Sequence, residues 1–340
     1  MTNLTKTVSQ MIFIASSLAL AQTAYGDEDL ARYKKTAQSI NETIQAYHYN
    51  PDELDTDEYE ATRRALAHLA GTAQSDESFL NGFRAIWEHG PFSHVDLNKA
   101  RGSAEDLAVY LDDMDVGGNG AILTWQGDTA ILTVNTMMGS DTIKHLEDAY
   151  DTIEARSAEG LIIDLRHNEG GAFAVRPLVE HLISEPFVAG GFVSQQWNGS
   201  HERRPTLEDM KQVAPWIGRS IRRFWSVSQD QPLTVVQFEP ASPVFEGSGF
   251  ILTSAQTASA AELATDALKS ANRAIIVGET TAGKMLSQKI YDVEGGFHLS
   301  LPIADYYSAV SGRIEGVGIE PDMPTPSYNA MEVAISLTRK

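Results

Sequence analysis

Cysteine is absent from all 340 residues, which excludes disulfide bonds and thiolate-held metal ions. Long apolar runs are scarce. The run from Met11 to Ala21 is shorter than the about 20 residues a membrane helix needs, and no later stretch is long enough to span. Basic residues are few: 26 Lys and Arg stand against 46 Asp and Glu, for a formal net charge of −20. That surface repels phosphate backbones and anionic lipid headgroups, so nucleic acid is not an expected partner. Internal repeats and low-complexity tracts are also missing.

The first 26 residues carry one charge, Lys6, then the apolar run, then Ala24-Tyr25-Gly26 with small residues at both ends of the triplet. A basic start, a short apolar core and a small-residue site form a secretory signal layout. The expectation is a signal peptide over residues 1–26 and a periplasmic or secreted mature chain with no stable membrane span. An uncleaved anchor is the alternative.

After the signal, the spacing of Leu30, Tyr33, Ala37, Ile40, Ile44 and Tyr47 marks one face of a helix, broken at Asn50-Pro51. Tyr59 to Leu69 and Phe79 to Trp87 repeat the pattern, so residues 27–95 read as a small helical domain. Residues 96–340 then change texture. Ala121–Trp125 and Thr129–Val134 read as two strands about a Gln-Gly-Asp turn. Asp141–Arg156 reads as a helix, and Gly160–Asp164 as a strand buried on both faces. A helix is expected over Val175–Ile183. Strands are expected over Gly249–Thr253 and Ala274–Val277 with a helix between them, and a closing helix over Ala330–Leu337. Alternating strands and helices predict an α/β core. Residues 199–231, with Trp216, Phe224 and Trp225, read as a helical insertion over that core.

Several segments carry candidate chemistry. Asp164-Leu165-Arg166-His167-Asn168-Glu169-Gly170-Gly171 ends a buried strand, where α/β folds place ligands. Its paired glycines permit a sharp turn that leaves N–H groups exposed, and such groups can hold an oxyanion. Thr257-Ala258-Ser259-Ala260-Ala261-Glu262 follows a strand and opens a helix. Read alone, Ser-x-x-Glu is a capping box; a serine there also sits in the positive field of the helix start. No Gly-x-Ser-x-Gly elbow surrounds Ser259, which argues against the α/β-hydrolase fold. Gly278-Glu279-Thr280-Thr281-Ala282-Gly283-Lys284-Met285 nearly matches a phosphate-binding loop, but Met285 replaces the magnesium-holding hydroxyl and Ile290–Gly296 ends in a glycine turn. Phe92-Ser93-His94-Val95 and Gly312 to Asp322 complete the set; read alone, they are a structural histidine and a turn into a strand.

In order and spacing together, these segments resemble the family of C-terminal-processing and tricorn-like serine peptidases, S41, related to retinoid-binding repeats. The resemblance runs from about residue 85 to 325. It implies a mixed-sheet, ClpP/crotonase-like α/β core with β-α-β units behind the helical domain. Between His94 and Asp164 there is too little sequence for a PDZ domain beside the strands assigned. The family assigns the nucleophile to Ser259 and places Gly170 or Gly171 with the N–H of Ala260 in the oxyanion hole, with Glu262 and Thr281 as supporting residues. For the base it offers two schemes. Lys284 follows Ser259 by 25 positions and Gln288 by four more, the C-terminal-processing arrangement. Ser93, His94 and Glu315 match the tricorn-like one. The fixed offsets favour Lys284, provided desolvation lowers its pKa; a carboxylate near it would favour His94 instead.

The expected function is hydrolysis of peptide bonds in proteins or peptides through an acyl-enzyme on Ser259, with no metal and no cofactor. Substrate would bind as an added strand. The alternative is a carrier of an apolar ligand or peptide on the same fold, with Trp216, Phe224 and Trp225 lining the pocket.

Overall fold

A computed structural model describes residues 28–338. The expected signal peptide, residues 1–26, lies outside them. The described residues divide into two compact units: residues 28–104 with 290–301, and residues 105–289 with 302–338. A later segment, residues 290–301, returns to the first unit.

The first unit is helical, as its three- and four-residue spacing predicts. Residues 28–47 form α1. After Asn50 caps a short turn at Pro51, α2 spans Asp57–Thr72 and α3 spans Asp76–Trp87. Each helix starts on a hydroxyl: Thr56 accepts from the N–H of Tyr59, and Ser75 from that of Ser78. Strand β1, Asp96–Lys99, pairs antiparallel with residues 297–300. The core of this unit gathers Tyr33, Ile40, Ile44, Leu66, Phe79 and Phe83 with Phe297 and Leu299 of the returning segment.

The second unit opens with α4, Ala104–Asp113. Strands β2 (Ala121–Gln126) and β3 (Thr129–Val134) form the expected hairpin. Helix α5 (Ser140–Ala155) crosses to β4 (Gly160–Asp164), and α6 covers Val175–Glu180. Strand β5, Phe187–Ser194, leads into α7 (Gln195–Asn198), α8 (Leu207–Lys211) and α9 (Ile221–Asp230). Then follow β6 (Leu233–Phe238), β7 (Ser248–Thr253), α10 (Ala260–Ser270) and β8 (Ile275–Gly278). Strands β9 (Ser287–Val293) and β10 (Phe297–Ser308) make a hairpin, and β11 (Gly312–Arg313), β12 (Met323–Pro324) and α11 (Ser327–Thr338) close the chain.

Six strands form one mixed sheet in the order β12-β8-β7-β4-β3-β2, parallel except for the β2–β3 hairpin. All five residues of β4 are buried, which suits a strand flanked on both sides and covered on both faces. The β3-α5-β4 and β7-α10-β8 units deliver the chain ends of β4 and β7 to the same edge of the sheet. In the second sheet, β5 lies between the later half of β10 and β6, all antiparallel. The mixed-sheet α/β core behind a helical region is the architecture expected from the sequence.

The phosphate-loop reading of Gly278–Lys284 fails on local structure. An irregular stretch and then strand β9 follow the lysine, where that motif needs a helix.

Candidate active site

Ser259 stands where β7 has ended and α10 begins. Its backbone lies at φ 55°, ψ −123°, a conformation that side-chain-bearing residues rarely adopt. Such strain persists only where the surroundings impose it, and here they do. The Ser259 N–H donates to Oε2 of Glu262 at 2.9 Å. The carboxylate of Glu262, fully buried, accepts three further bonds: from Thr281 Oγ1 at 2.6 Å, Gly283 N–H at 2.8 Å and Lys284 N–H at 2.9 Å. One buried anion therefore ties the serine to the loop after β8, with four donors facing its charge.

Side chains stitch the loop after β4 to the same place. Ser254 Oγ donates to Arg166 O at 2.5 Å, and Thr257 Oγ1 donates to Leu165 O at 2.8 Å. Ala258 N–H donates to Asn168 O at 3.0 Å. Asp164 and Arg166 form a two-pronged pair at 2.8 and 2.7 Å, which raises the arginine's pKa, and Arg166 also holds Ser327 O at 2.8 Å. Buried Asn168 makes the turn: it donates to Val134 O at 2.9 Å and accepts the Gly170 N–H at 2.8 Å.

The two glycines need their lack of a side chain. Gly170, at φ 98°, presses on the nucleophile so closely that an added Cβ would lie 2.5 Å from Ser259 Cβ and 3.1 Å from the Ala260 nitrogen. Gly171, at φ 136°, abuts the backbone of Met137 and Met138, where a Cβ would meet atoms at 2.7 Å. Gly170 has committed its N–H to Asn168. The N–H groups of Gly171 and Ala260 make no hydrogen bond among the described residues.

A fourth segment closes around the loop after β8. Ile319 N–H donates to Thr281 Oγ1 at 2.8 Å, and Gly316 N–H donates to Gly283 O at 2.8 Å. The buried carboxylate of Glu315 accepts Met285 N–H at 2.5 Å and Leu286 N–H at 3.2 Å. On the neighbouring strand, burial pushes the Asp305 carboxyl up to about 6, with Glu315 adding to the rise and Arg313, whose Nε donates to it at 2.6 Å, opposing it. Lys284 is exposed and Gln288 half-buried.

The second unit thus gathers Ser259, Ala260, Glu262, Gly170, Gly171, Thr281 and Glu315. Ser93 and His94 belong to the first unit. There Ser93 Oγ lies 2.7 Å from His94 Nδ1, and His94 has φ 63°. Before them, the Phe92 ring stacks on buried His48 at 3.9 Å. Asn168 and Thr257 lie within the motif segments without a role read for them there, and Ser254 lies outside them; short polar side chains beside strand ends are also the ordinary signature of turns.

Comparison with known proteins accords with this arrangement. The model of peptidase family S41 matches residues 128–325. The carboxy-terminal processing protease CtpA of Bacillus subtilis is 27% identical over 69% of this chain and 43% of its own length. The chloroplastic carboxyl-terminal-processing peptidase 3 of Arabidopsis thaliana is 31% identical over 55% of this chain and 30% of its own. The chain thus spans less than half the length of the curated relatives it matches. In fold it resembles a lipoprotein from Streptococcus agalactiae, with TM-score 0.60 at 15% identity over 90% of this chain and 96% of that one. It also resembles the photosystem II D1 C-terminal processing protease, with TM-score 0.51 at 12% identity over 88% and 93%. With its family model covering more than half of the chain and four of the five motif segments, all but the one at His94, this protein belongs to peptidase family S41.

Proposed function

We propose that the protein is a serine peptidase that cleaves proteins or peptides through an acyl-enzyme on Ser259. The observation that carries this reading is the strained backbone of Ser259, held against Gly170 by a buried Glu262. A cap alone needs no such conformation. In the reaction, a base takes the Ser259 Oγ proton and Oγ attacks the scissile carbonyl carbon. The oxyanion that forms is met by the N–H groups of Gly171 and Ala260. The base returns the proton to the leaving amine as the C–N bond breaks, and water then hydrolyses the ester by the same path.

For the base two candidates stand: Lys284 with Gln288, and His94 with Ser93 and Glu315. Lys284 is exposed, whereas a lysine base requires desolvation. Ser93 Oγ, 2.7 Å from His94 Nδ1, fixes the imidazole ring. The reading of an apolar-ligand carrier gains less support. Phe224 and Trp225 are 9% and 6% exposed, already packed on neighbours rather than lining an open cavity.

We place the peptidase outside the cytoplasm, on the layout of residues 1–26; among the described residues no helix is long and apolar enough to cross a membrane. The test is incubation with unfolded casein and with a small serine-directed fluorophosphonate. Cleavage and labelling at Ser259, both lost in Ser259→Ala, are expected; no labelling of the folded protein overturns the reading. If His94→Ala abolishes labelling and Lys284→Ala leaves most of it, the base is His94. The reverse pattern assigns the base to Lys284.

A further inference from the structure

Six positions after Gly170, the side chain of Arg176 is 4% exposed. A buried guanidinium must find acceptors within the protein for its five N–H groups. Arg176 finds them far along the chain. Its Nη2 donates to Trp216 O at 2.6 Å and its Nε to Gly218 O at 3.2 Å. Its Nη1 donates to Gln237 O at 3.1 Å and to Glu180 Oε1 at 2.9 Å. Trp216 and Gly218 belong to the insertion between β5 and β6, Gln237 to β6, and Glu180 to the next turn of α6. Arg219, also of the insertion, approaches the other oxygen of Glu180 at 3.8 Å.

The insertion is held at further points. Trp216 N–H donates to Val235 O at 2.7 Å, making a bridge to β6. The ring of Phe224 on α9 meets Phe192 and Trp216 edge-on at 5.2 and 6.0 Å, and meets Phe173 at 6.5 Å. Phe173 lies two residues after Gly171. At its start, α9 is capped from α4: Asp112 accepts Ser220 Oγ at 2.6 Å and Ile221 N–H at 2.5 Å. A segment fixed at its middle, along its helix and at that helix's start is not hung on a hinge.

We infer that Arg176 is a positioning residue, holding the insertion as a fixed wall beside Gly171 on the side where peptide binds. This rests on the peptidase reading above. The turn at Gly170 is secured separately, by Asn168, and Ser259 by Glu262. Loosening Arg176 therefore frees the insertion and leaves the reacting groups in place, an effect on substrate binding rather than on chemistry.

The test compares Arg176→Lys with the double variant Arg176→Met/Glu180→Met, which removes both buried charges together and leaves neither uncompensated. Three quantities are read: amide hydrogen exchange over residues 207–230, kcat and KM for an extended peptide, and the rate of fluorophosphonate labelling at Ser259. Exchange faster by about tenfold or more, KM raised about tenfold and labelling within about twofold of wild type are expected. A folded variant with wild-type exchange and KM overturns the inference, and so does a parallel fall of labelling and kcat at unchanged KM. If wild-type Ser259 never labels, the peptidase reading fails by itself, while the exchange comparison still decides whether Arg176 holds the insertion.

Discussion

Glu262 Oε2 accepts the backbone N–H of Ser259 at 2.9 Å, and the same oxygen accepts Lys284 N–H at 2.9 Å. The carboxylate is thus a shared anchor for the helix start and for the loop after β8. Glu262→Gln replaces one acceptor oxygen with an amide that faces donors. The expected outcome is a loss of about 2–4 kcal/mol in denaturant unfolding. Labelling of Ser259 should slow by about a hundredfold or more as the serine loses its placement.

Gly170 and Gly171 should tolerate no side chain. Gly170→Ala would set its Cβ 2.5 Å from Ser259 Cβ at φ 98°, so loss of labelling and destabilisation by more than about 2 kcal/mol are expected. Gly127→Ala is the control. It also has positive φ, 62°, but nothing lies within 4 Å of the new Cβ, so only the backbone term of about 1 kcal/mol remains. Thermal melts of the two variants separate contact from conformation.

Thr281 serves two partners with one hydroxyl, donating to Glu262 and accepting from Ile319 N–H at 2.8 Å. Thr281→Val keeps the shape and strands both. A cost of about 1–3 kcal/mol is expected, with Thr281→Ser recovering most of it. Equal stability of the Val and Thr proteins in urea would contradict the bonding described.

Asp305 gives stability a pH dependence with a defined sign. Its folded pKa, about 6, lies above the usual 3.8, because burial outweighs the help of Arg313. Between those values the folded state holds the proton that the unfolded chain has released. On this group's account, stability is greatest at the acid end and falls as pH rises through that window, by up to about 3 kcal/mol. Asp305→Asn keeps an oxygen for Arg313 and carries no charge. The stability difference between wild type and variant, read from denaturant curves at pH 4 to 7, should therefore shift in the variant's favour as pH rises. A flat difference would contradict it.

Much of the architecture was legible in the residues. The continuous apolar run at Gly160–Asp164 marked a strand buried on both faces, and the three- and four-residue spacing after Leu30 marked a helix, because burial imposes those periods. Strands β5 and β10 are not legible in the same way. Phe187–Ser194 contains paired glycines and β10 carries polar residues such as Asp305, so neither shows a clean alternation. Ser259, the glycine pair and Glu262 were legible as motifs through order and spacing.

What the residues alone determined is the inventory: a serine at a helix start, two adjacent glycines after a buried strand, and a glutamate three positions beyond the serine. Only the tertiary structure decided which N–H groups are committed and which are not. Gly170 is bonded to Asn168 and Gly171 is not, since the turn geometry selects one of them. Likewise the exposure of Lys284 and the burial of Arg176 follow from neighbours many positions away. A side chain's hydration depends on what packs over it, and spacing along the chain carries no record of that.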